Sequence, residues 1–186
     1  NIGEAERKEV LKRALSLKLN VPLMVGVGGI NLEETLAWVQ YLETLPIDAY
    51  LMVTPLYAKP GPRGQALWFK ALLDAATRPC MLYNIPGRAA KQLEHACVQK
   101  LASHKNFWAI KESSGSCAEF SKYMADTKGS KVRVYCGDDN MLAAYFPLGA
   151  KGLVSVAANP WPKETRAWVE KVLSNKATLM DARLWE

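Results

Sequence analysis

The sequence is poor in histidine and contains no long apolar segment. It has only His95 and His104, and neither stands at the spacing of a His-Glu-x-x-His motif. We therefore expect no catalytic metal. A Walker loop and a Gly-x-Ser-x-Gly motif are also absent from the sequence, which argues against nucleotide hydrolysis and against a serine hydrolase. No uncharged stretch reaches the ~20 residues that a membrane-spanning helix needs, so we expect no membrane span.

Cysteine is scarce, and its spacing suggests no paired function. The four cysteines, at positions 80, 97, 117 and 136, lie 17, 20 and 19 residues apart. Without a Cys-x-x-Cys pair they favour reduced thiols over a zinc site. The N-terminal residues also lack the basic and then apolar order of a signal peptide. Both observations predict a soluble, cytoplasmic protein.

Positive charge is in modest excess and is dispersed. The 24 Lys and Arg residues outnumber the 18 Asp and Glu residues, which gives a net charge of +6 and a pI near 9.1. The densest basic cluster lies within residues 4–18, where its five basic residues are interspersed with Glu4, Glu6 and Glu9. This pattern indicates a solvated helix face, so we expect no nucleic-acid partner. With 49% hydrophobic residues the chain is not disordered, and we expect one domain over residues 1–186.

Short apolar runs alternate with helical patterns along the chain. Each run is too short for a helix and shows little polar alternation, as in a parallel strand covered on both faces. The predicted strands are 21–26, 48–54, 79–84, 107–111, 132–136 and 152–157. The predicted helices are 4–18, a helix from residue 32 with Asn31 as its N-cap, 64–77, 91–103, 117–127, 139–146 and 163–173. The order is (αβ)6α.

Repeated βα units fit either a doubly wound open sheet or a closed barrel. Polar residues stand where successive predicted strands end, and in a barrel these ends converge on one mouth. They are Thr54, Tyr57, Tyr83, Asn84, Lys111, Glu112, Gly137, Asp138, Ser155 and Asn159. We therefore predict an α/β fold of the (β/α)8 TIM barrel type. Such a barrel has eight strands and typically ~250 residues, so six strands in this chain predict an incomplete barrel.

Two short motifs allow alternative interpretations. Gly26-Val27-Gly28-Gly29 lies between a strand and a helix like a dinucleotide-binding loop, but Asn31 holds the position of the third glycine. A tight turn followed by an N-cap is therefore favoured over a phosphate site. Asp138 and Asp139 could bind Mg²⁺, although a carboxylate pair at the start of a helix more commonly caps its amides.

Lys111 is the residue that most strongly indicates chemistry. It ends the apolar run 107–110, so its amine lies where a buried strand meets the mouth. Burial opposes the charged form of an amine, and a neutral amine attacks a carbonyl. The alternative is a lysine that extends to solvent or pairs with Glu112. Tyr83 and Tyr57 favour the first interpretation, because a nearby phenol can pass the protons that imine formation requires.

Arg88 lies five residues after Tyr83, in a loop that contains Pro86 and Gly87. A planar guanidinium at the mouth suits bidentate binding of a substrate carboxylate. The loop position alone favours an ordinary surface arginine over this role.

Four segments, in this order and spacing, resemble the dihydrodipicolinate synthase family. They are VTPLYAKP at 53–60, YNIPGR at 83–88, IKESSG at 110–115 and GDD at 137–139. The family belongs to the pyruvate-dependent, Schiff-base class I aldolases, together with N-acetylneuraminate lyase and the 2-keto-3-deoxy sugar acid aldolases. The resemblance runs from Glu4 to Glu186. It implies a (β/α)8 barrel of which strands 3 to 8 are present, with the first two strands and the C-terminal helices missing.

The resemblance implies a role for each matching side chain. Lys111 would form the imine with pyruvate, and Tyr83 would relay protons at the imine carbon. Tyr57 would enter the site of a neighbouring subunit, which implies a homo-oligomer, either a dimer or a tetramer. Arg88 would receive the carboxylate of the aldehyde substrate.

The resemblance also implies the reaction. The backbones of Gly137 and Val154 would line the pocket for pyruvate. Pyruvate would condense with L-aspartate-4-semialdehyde to give 4-hydroxy-tetrahydrodipicolinate, in diaminopimelate and lysine biosynthesis. No cofactor is expected, because the lysine imine itself serves as the electron sink.

The sequence departs from the family pattern at two places. The family's Gly-Thr-Thr-Gly-Glu segment, which supplies a threonine to the proton relay, has no counterpart. Ile30 and Leu56 stand where lysine-inhibited members often have asparagine and tyrosine, which argues against feedback inhibition by lysine. Two alternatives stay open: an aldolase acting on a keto-sugar acid, which Arg88 disfavours, and a non-catalytic barrel relative that acts as a binding subunit.

Overall fold

A parallel β-sheet forms the centre of the chain. The structure is a computed structural model that describes residues 2–178, 181 and 185. The sheet has five strands in the order in which they occur along the chain: β1 Met24–Val27, β2 Ala49–Val53, β3 Cys80–Asn84, β4 Phe107–Glu112 and β5 Arg133–Cys136. The predicted α/β class with a parallel sheet is confirmed. The strand order does not reverse within the described residues, so the ligand crevice of a doubly wound sheet does not arise there.

Helices connect the strands and cover the sheet. They are α1 Glu4–Ser16, α2 Leu32–Glu43, α3 Pro62–Ala75, α4 Pro86–Ala89, α5 His95–Leu101, α6 Cys117–Asp126, α7 Leu142–Tyr145 and α8 Pro162–Leu173, with a 3-10 turn at Asp139–Met141 before α7. On α3, Phe69, Leu72 and Leu73 are fully buried at the i, i+3 and i+4 spacing of a core-facing stripe. Across the described part of the chain, no helix combines the length and the apolar character needed to cross a membrane.

The glycine-rich loop after β1 is explained by packing and capping. The Asn31 Oδ1 atom accepts hydrogen bonds from the amides of Glu33 at 2.9 Å and Glu34 at 3.2 Å, so the predicted N-cap of α2 is confirmed. A Cβ atom on Gly28 would lie 2.4 Å from the Cγ1 atom of Val53 on β2. Gly28 is therefore required by the close approach of this loop to the neighbouring strand.

The prediction of a sixth strand over 152–157 is wrong. The structure has only a single parallel bridge there, between Leu153 and Cys136. The Val154 amide still donates to the Cys136 carbonyl at 2.8 Å. The chain then turns, because the Asp139 carboxylate accepts hydrogen bonds from the amides of Val156 at 3.0 Å and Ala157 at 3.1 Å. These bonds direct residues 155–157 away from β5.

The predicted helix over 91–103 is shorter than expected and begins only at His95. Two side chains from other elements bind the amides that precede it. The Leu93 amide donates to Asn84 Oδ1 at 2.8 Å, and the Glu94 amide donates to Gln65 Oε1 at 2.9 Å. The predicted helix over 139–146 is likewise divided into the 3-10 turn and α7.

One carboxylate links α2 to the segment that precedes β3. Glu43 accepts hydrogen bonds from the Thr77 amide at 2.8 Å, from the Arg78 guanidinium at 2.8 Å and from the Tyr50 hydroxyl at 2.6 Å. Burial and the nearby Glu43 carboxylate raise the pKa of Tyr50. This cluster fixes the end of the sheet opposite the one that carries Lys111.

Candidate active site

Lys111 and Tyr83 lie together at the carboxyl ends of β4 and β3. The two residues are register partners in the parallel pairing of these strands, so their side chains project from the same face. Lys111 is only 7% exposed. Its Nζ atom lies 4.1 Å from the centre of the Tyr83 ring. A buried amine with an aromatic wall and a phenol beside it is suited to attack a carbonyl.

Glu112 does not serve as the partner of Lys111. It lies on the opposite face of β4, where its Oε2 atom accepts from Asn84 Nδ2 at 2.6 Å and its Oε1 atom from the Ser114 amide at 2.7 Å. Burial raises the pKa of Glu112, although the hydrogen bonds from Ser114 and Asn84 act in the opposite direction. Lys111 therefore remains directed toward Tyr83.

Gly137 forms a wall of the space around Lys111. Its amide donates to the Glu112 carbonyl at 2.8 Å, which holds the end of β5 against β4. A Cβ atom at this position would lie 1.9 Å from Ser113 Oγ and 2.8 Å from Lys111 Cε. The Ser113 hydroxyl is buried and has no hydrogen-bond partner among the described residues. Only glycine allows the strand end to come this close to the lysine.

Asp138, two residues after the end of β5, interacts electrostatically with Lys111. Burial raises the pKa of Asp138, and the positive charge of Lys111 opposes that rise. The sequence places Asp138 among the polar residues at the strand ends, but it predicts a role for this side chain only as a cap or a Mg²⁺ ligand. The charge interaction with Lys111 was not predicted.

The prediction that the aspartate pair caps its own helix is wrong. The Asp138 side chain makes no capping hydrogen bond to the described residues, and Asp139 instead holds the turn at residues 155–157. Over the ranges that the structure describes, no group of three or more His, Cys, Asp or Glu side chains is arranged to hold a metal ion.

Val154, Tyr57 and Arg88 are all more exposed than Lys111. Val154 is half-buried beside the end of β5. Tyr57 is 89% exposed and has a φ of 62°, an uncommon conformation for a bulky residue. Arg88 lies in α4 after β3 and is exposed. Neither Tyr57 nor Arg88 forms a hydrogen bond or ion pair with Lys111 in the described part of the chain.

Comparison with known proteins places this geometry in a family. A profile of the Dihydrodipicolinate synthetase family matches residues 2–184. The chain is 42% identical to the 4-hydroxy-tetrahydrodipicolinate synthase of Francisella philomiragia over 181 residues, which cover 97% of this chain and 61% of that relative. It thus spans about 61% of the length of the curated relatives that it matches.

Solved structures of the same family resemble this chain in fold. The dihydrodipicolinate synthase of Aquifex aeolicus superposes with a TM-score of 0.89 at 28% identity, over 99% of this chain and 62% of that one. The chloride-inhibited enzyme of Acinetobacter baumannii, complexed with pyruvate, superposes with a TM-score of 0.88 at 29% identity, over 99% and 63% of the two chains. From the family profile, the curated relatives and the shared architecture, we conclude that the chain belongs to the dihydrodipicolinate synthetase family.

Proposed function

We propose that the protein containing this chain condenses pyruvate with L-aspartate-4-semialdehyde to give 4-hydroxy-tetrahydrodipicolinate. The observation that carries the proposal is the buried amine of Lys111, 4.1 Å from the centre of the Tyr83 ring. The names of the curated relatives support the reaction, and the pyruvate complex of the Acinetobacter baumannii relative supports the first substrate.

Lys111 starts the reaction as a nucleophile. Its amine attacks the ketone carbon of pyruvate, and water leaves as the C=N bond of the imine forms. The imine nitrogen then accepts the electron pair of a methyl C–H bond, which gives an enamine and releases a proton. Tyr83 donates and accepts protons at this carbon. The lysine imine is the electron sink, so the chemistry calls for no cofactor.

Carbon–carbon bond formation follows. The enamine carbon attacks the aldehyde carbon of the second substrate, and the aldehyde oxygen takes up a proton. The amino group of that substrate then attacks the imine carbon, which closes the ring and releases the Lys111 amine. Arg88 binds the carboxylate of the aldehyde substrate as a two-pronged donor. The backbones of Gly137 and Val154 line the pyruvate pocket.

We infer that the complete protein forms a (β/α)8 barrel and assembles as a homo-oligomer. The sequential order of the parallel strands and the likeness to dihydrodipicolinate synthase structures support the barrel, of which this chain holds a part. Tyr57, 89% exposed on a loop after β2, enters the site of a neighbouring subunit. A contact made in that neighbouring site would account for the unusual backbone conformation of a tyrosine that its own subunit leaves in solvent.

Reductive trapping tests the proposal. The full-length protein is incubated with pyruvate and then borohydride, and the adduct is mapped by peptide mass spectrometry. We expect one adduct on Lys111, none in Lys111→Ala, and an unchanged yield in Lys151→Ala, which removes an exposed lysine. No adduct on the folded native protein would refute the Schiff-base chemistry and favour a binding subunit.

Turnover separates the aldolase classes. We expect product from L-aspartate-4-semialdehyde and none from cleavage of 2-keto-3-deoxy sugar acids or N-acetylneuraminate. Arg88→Leu should raise the KM for the semialdehyde and leave the pyruvate adduct intact. A Lys111 adduct combined with cleavage of a sugar acid would overturn the assignment of the second substrate.

A further inference from the structure

A buried hydrogen-bonded pair, Asn84 and Glu112, lies directly behind the candidate active site. Both side chains are 0% exposed. Each immediately follows a residue of the site, Asn84 after Tyr83 and Glu112 after Lys111, and the two pairs occupy successive steps of the β3–β4 register. Successive side chains of a strand point to opposite faces, so the pair lies on the face opposite the reacting groups.

Every hydrogen bond of this pair reaches a different part of the site. Asn84 Nδ2 donates to Glu112 Oε2 at 2.6 Å and so joins β3 to β4. Asn84 Oδ1 accepts from the Leu93 amide at 2.8 Å, which closes the loop that carries Arg88. Glu112 Oε1 accepts from the Ser114 amide at 2.7 Å, which fixes the turn after β4.

We propose that Asn84 and Glu112 are positioning residues that hold Tyr83, Lys111 and the Arg88 loop in their productive arrangement. This inference rests on the proposed function. The bonding pattern has one orientation only, because Asn84 cannot turn its amide without losing the Leu93 bond. Buried polar groups joined by three such bonds are costly to leave unpaired, which makes the arrangement stiff.

The pattern allows the donors and acceptors to be exchanged. In Glu112→Gln the new NH₂ group faces either the Asn84 NH₂ group or the Ser114 amide, so two donors oppose each other. In Asn84→Asp two carboxylates meet. In the double variant Asn84→Asp/Glu112→Gln, the carboxylate introduced at position 84 accepts from both the Leu93 amide and the side-chain NH₂ group introduced at position 112. The side-chain oxygen at position 112 still accepts from the Ser114 amide. All bonds and the net charge are then restored.

The experiment compares the four full-length proteins by condensation kinetics, by the rate of pyruvate trapping on Lys111 and by thermal unfolding. We expect each single variant to lose about 10²-fold in kcat, the effect of misplacing reacting groups by ~1 Å. We expect a smaller change in the KM for pyruvate and recovery of most of kcat in the double variant. Glu43→Gln is the matched control: it should lower the unfolding temperature and leave kcat unchanged.

Native kcat in a folded single variant, or losses that simply multiply in the double variant, would overturn the inference. If the single variants do not fold, a folded and active double variant supports the pairing, and an unfolded one refutes it. Failure of the proposed function is distinguishable, because the native protein itself would then form no pyruvate adduct.

Discussion

Replacing Gly137 by alanine is the most direct test of the space around Lys111. The backbone of Gly137 does not occupy the left-handed region, so the substitution adds a methyl group without straining φ and ψ. That methyl carbon would lie 1.9 Å from Ser113 Oγ, 2.8 Å from Lys111 Cε and 2.9 Å from Lys111 Cγ. The lysine stem or the end of β5 must therefore move.

The structure sets the size of the expected effect. Adding a methyl group to a packed interior costs about 1–3 kcal/mol of unfolding free energy. Displacing the Lys111 amine by ~1 Å costs about 10²-fold in rate. Ser113→Ala combined with Gly137→Ala removes the shortest contact but leaves both contacts with Lys111. We therefore expect the double variant to regain stability without regaining activity.

The assay is the rate at which pyruvate is trapped on Lys111 in the full-length protein, measured beside urea unfolding. Gly26→Ala is the control, because a Cβ atom there meets nothing within 4 Å. It should be neutral or stabilise by up to about 1 kcal/mol, since alanine loses less conformational freedom than glycine. A folded Gly137→Ala protein that is trapped at the native rate would show that Gly137 does not define the lysine's space.

Three further predictions concern stability, and urea unfolding measures each. Asn31→Ala removes the N-cap of α2 and should lower the unfolding free energy by about 1 kcal/mol, whereas an unchanged midpoint would show that the cap contributes nothing. Burial opposes the charged form of His95, but hydrogen bonds to Asp126 and Glu119 raise its pKa above the ordinary 6.5. The stabilisation that protonated His95 provides is therefore fully present below about pH 6.5, and it is lost as the pH rises through the raised pKa. His95→Gln should lower the unfolding free energy more at about pH 6 than at about pH 8. An equal decrease at both pH values would contradict this. Asp139→Ala removes the acceptor of the 155–157 turn and should cost about 1.5–3 kcal/mol, and a midpoint shift no larger than that of Asn31→Ala would refute the assigned role.

Most strands and helices could be predicted because their signals are local. The apolar run 107–110 ends at Lys111, and β4 ends one residue later. The predicted 79–84 strand and the observed Cys80–Asn84 differ by one residue. A parallel strand that is covered on both faces is marked by a continuous run of apolar residues, and such a run can be recognised in the sequence alone.

The errors come from side chains that act across the fold. The start of α5 is set by Asn84 and Gln65, which bind the amides of residues far along the chain. The sixth predicted strand does not form because Asp139 binds the Val156 amide, which lies 17 residues later in the chain. The local sequence patterns of 91–103 and 152–157 give no sign of these contacts, so they could not be predicted.

The site was predictable in part for the same reason. The convergence of strand ends was enough to predict that Lys111 and Tyr83 lie together. The role of Glu112 was not predictable, because adjacency to Lys111 suggested an ion pair. The pleat instead turns Glu112 to the other face of the sheet, where its partner lies on β3.

The sequential strand order also bears on how the sheet forms during synthesis. Val25 pairs with Tyr50 and Leu51 with Met81, so the paired strands of this five-stranded sheet lie about 25–30 residues apart in the part of the chain that the structure describes. At about 5–20 residues per second, a ribosome releases each further strand about 1–6 seconds after the one before it. Helices and local contacts form in microseconds. The ribosome therefore sets the pace at which the sheet grows, and the newest strand keeps an open edge for seconds, long enough for a chaperone to bind it.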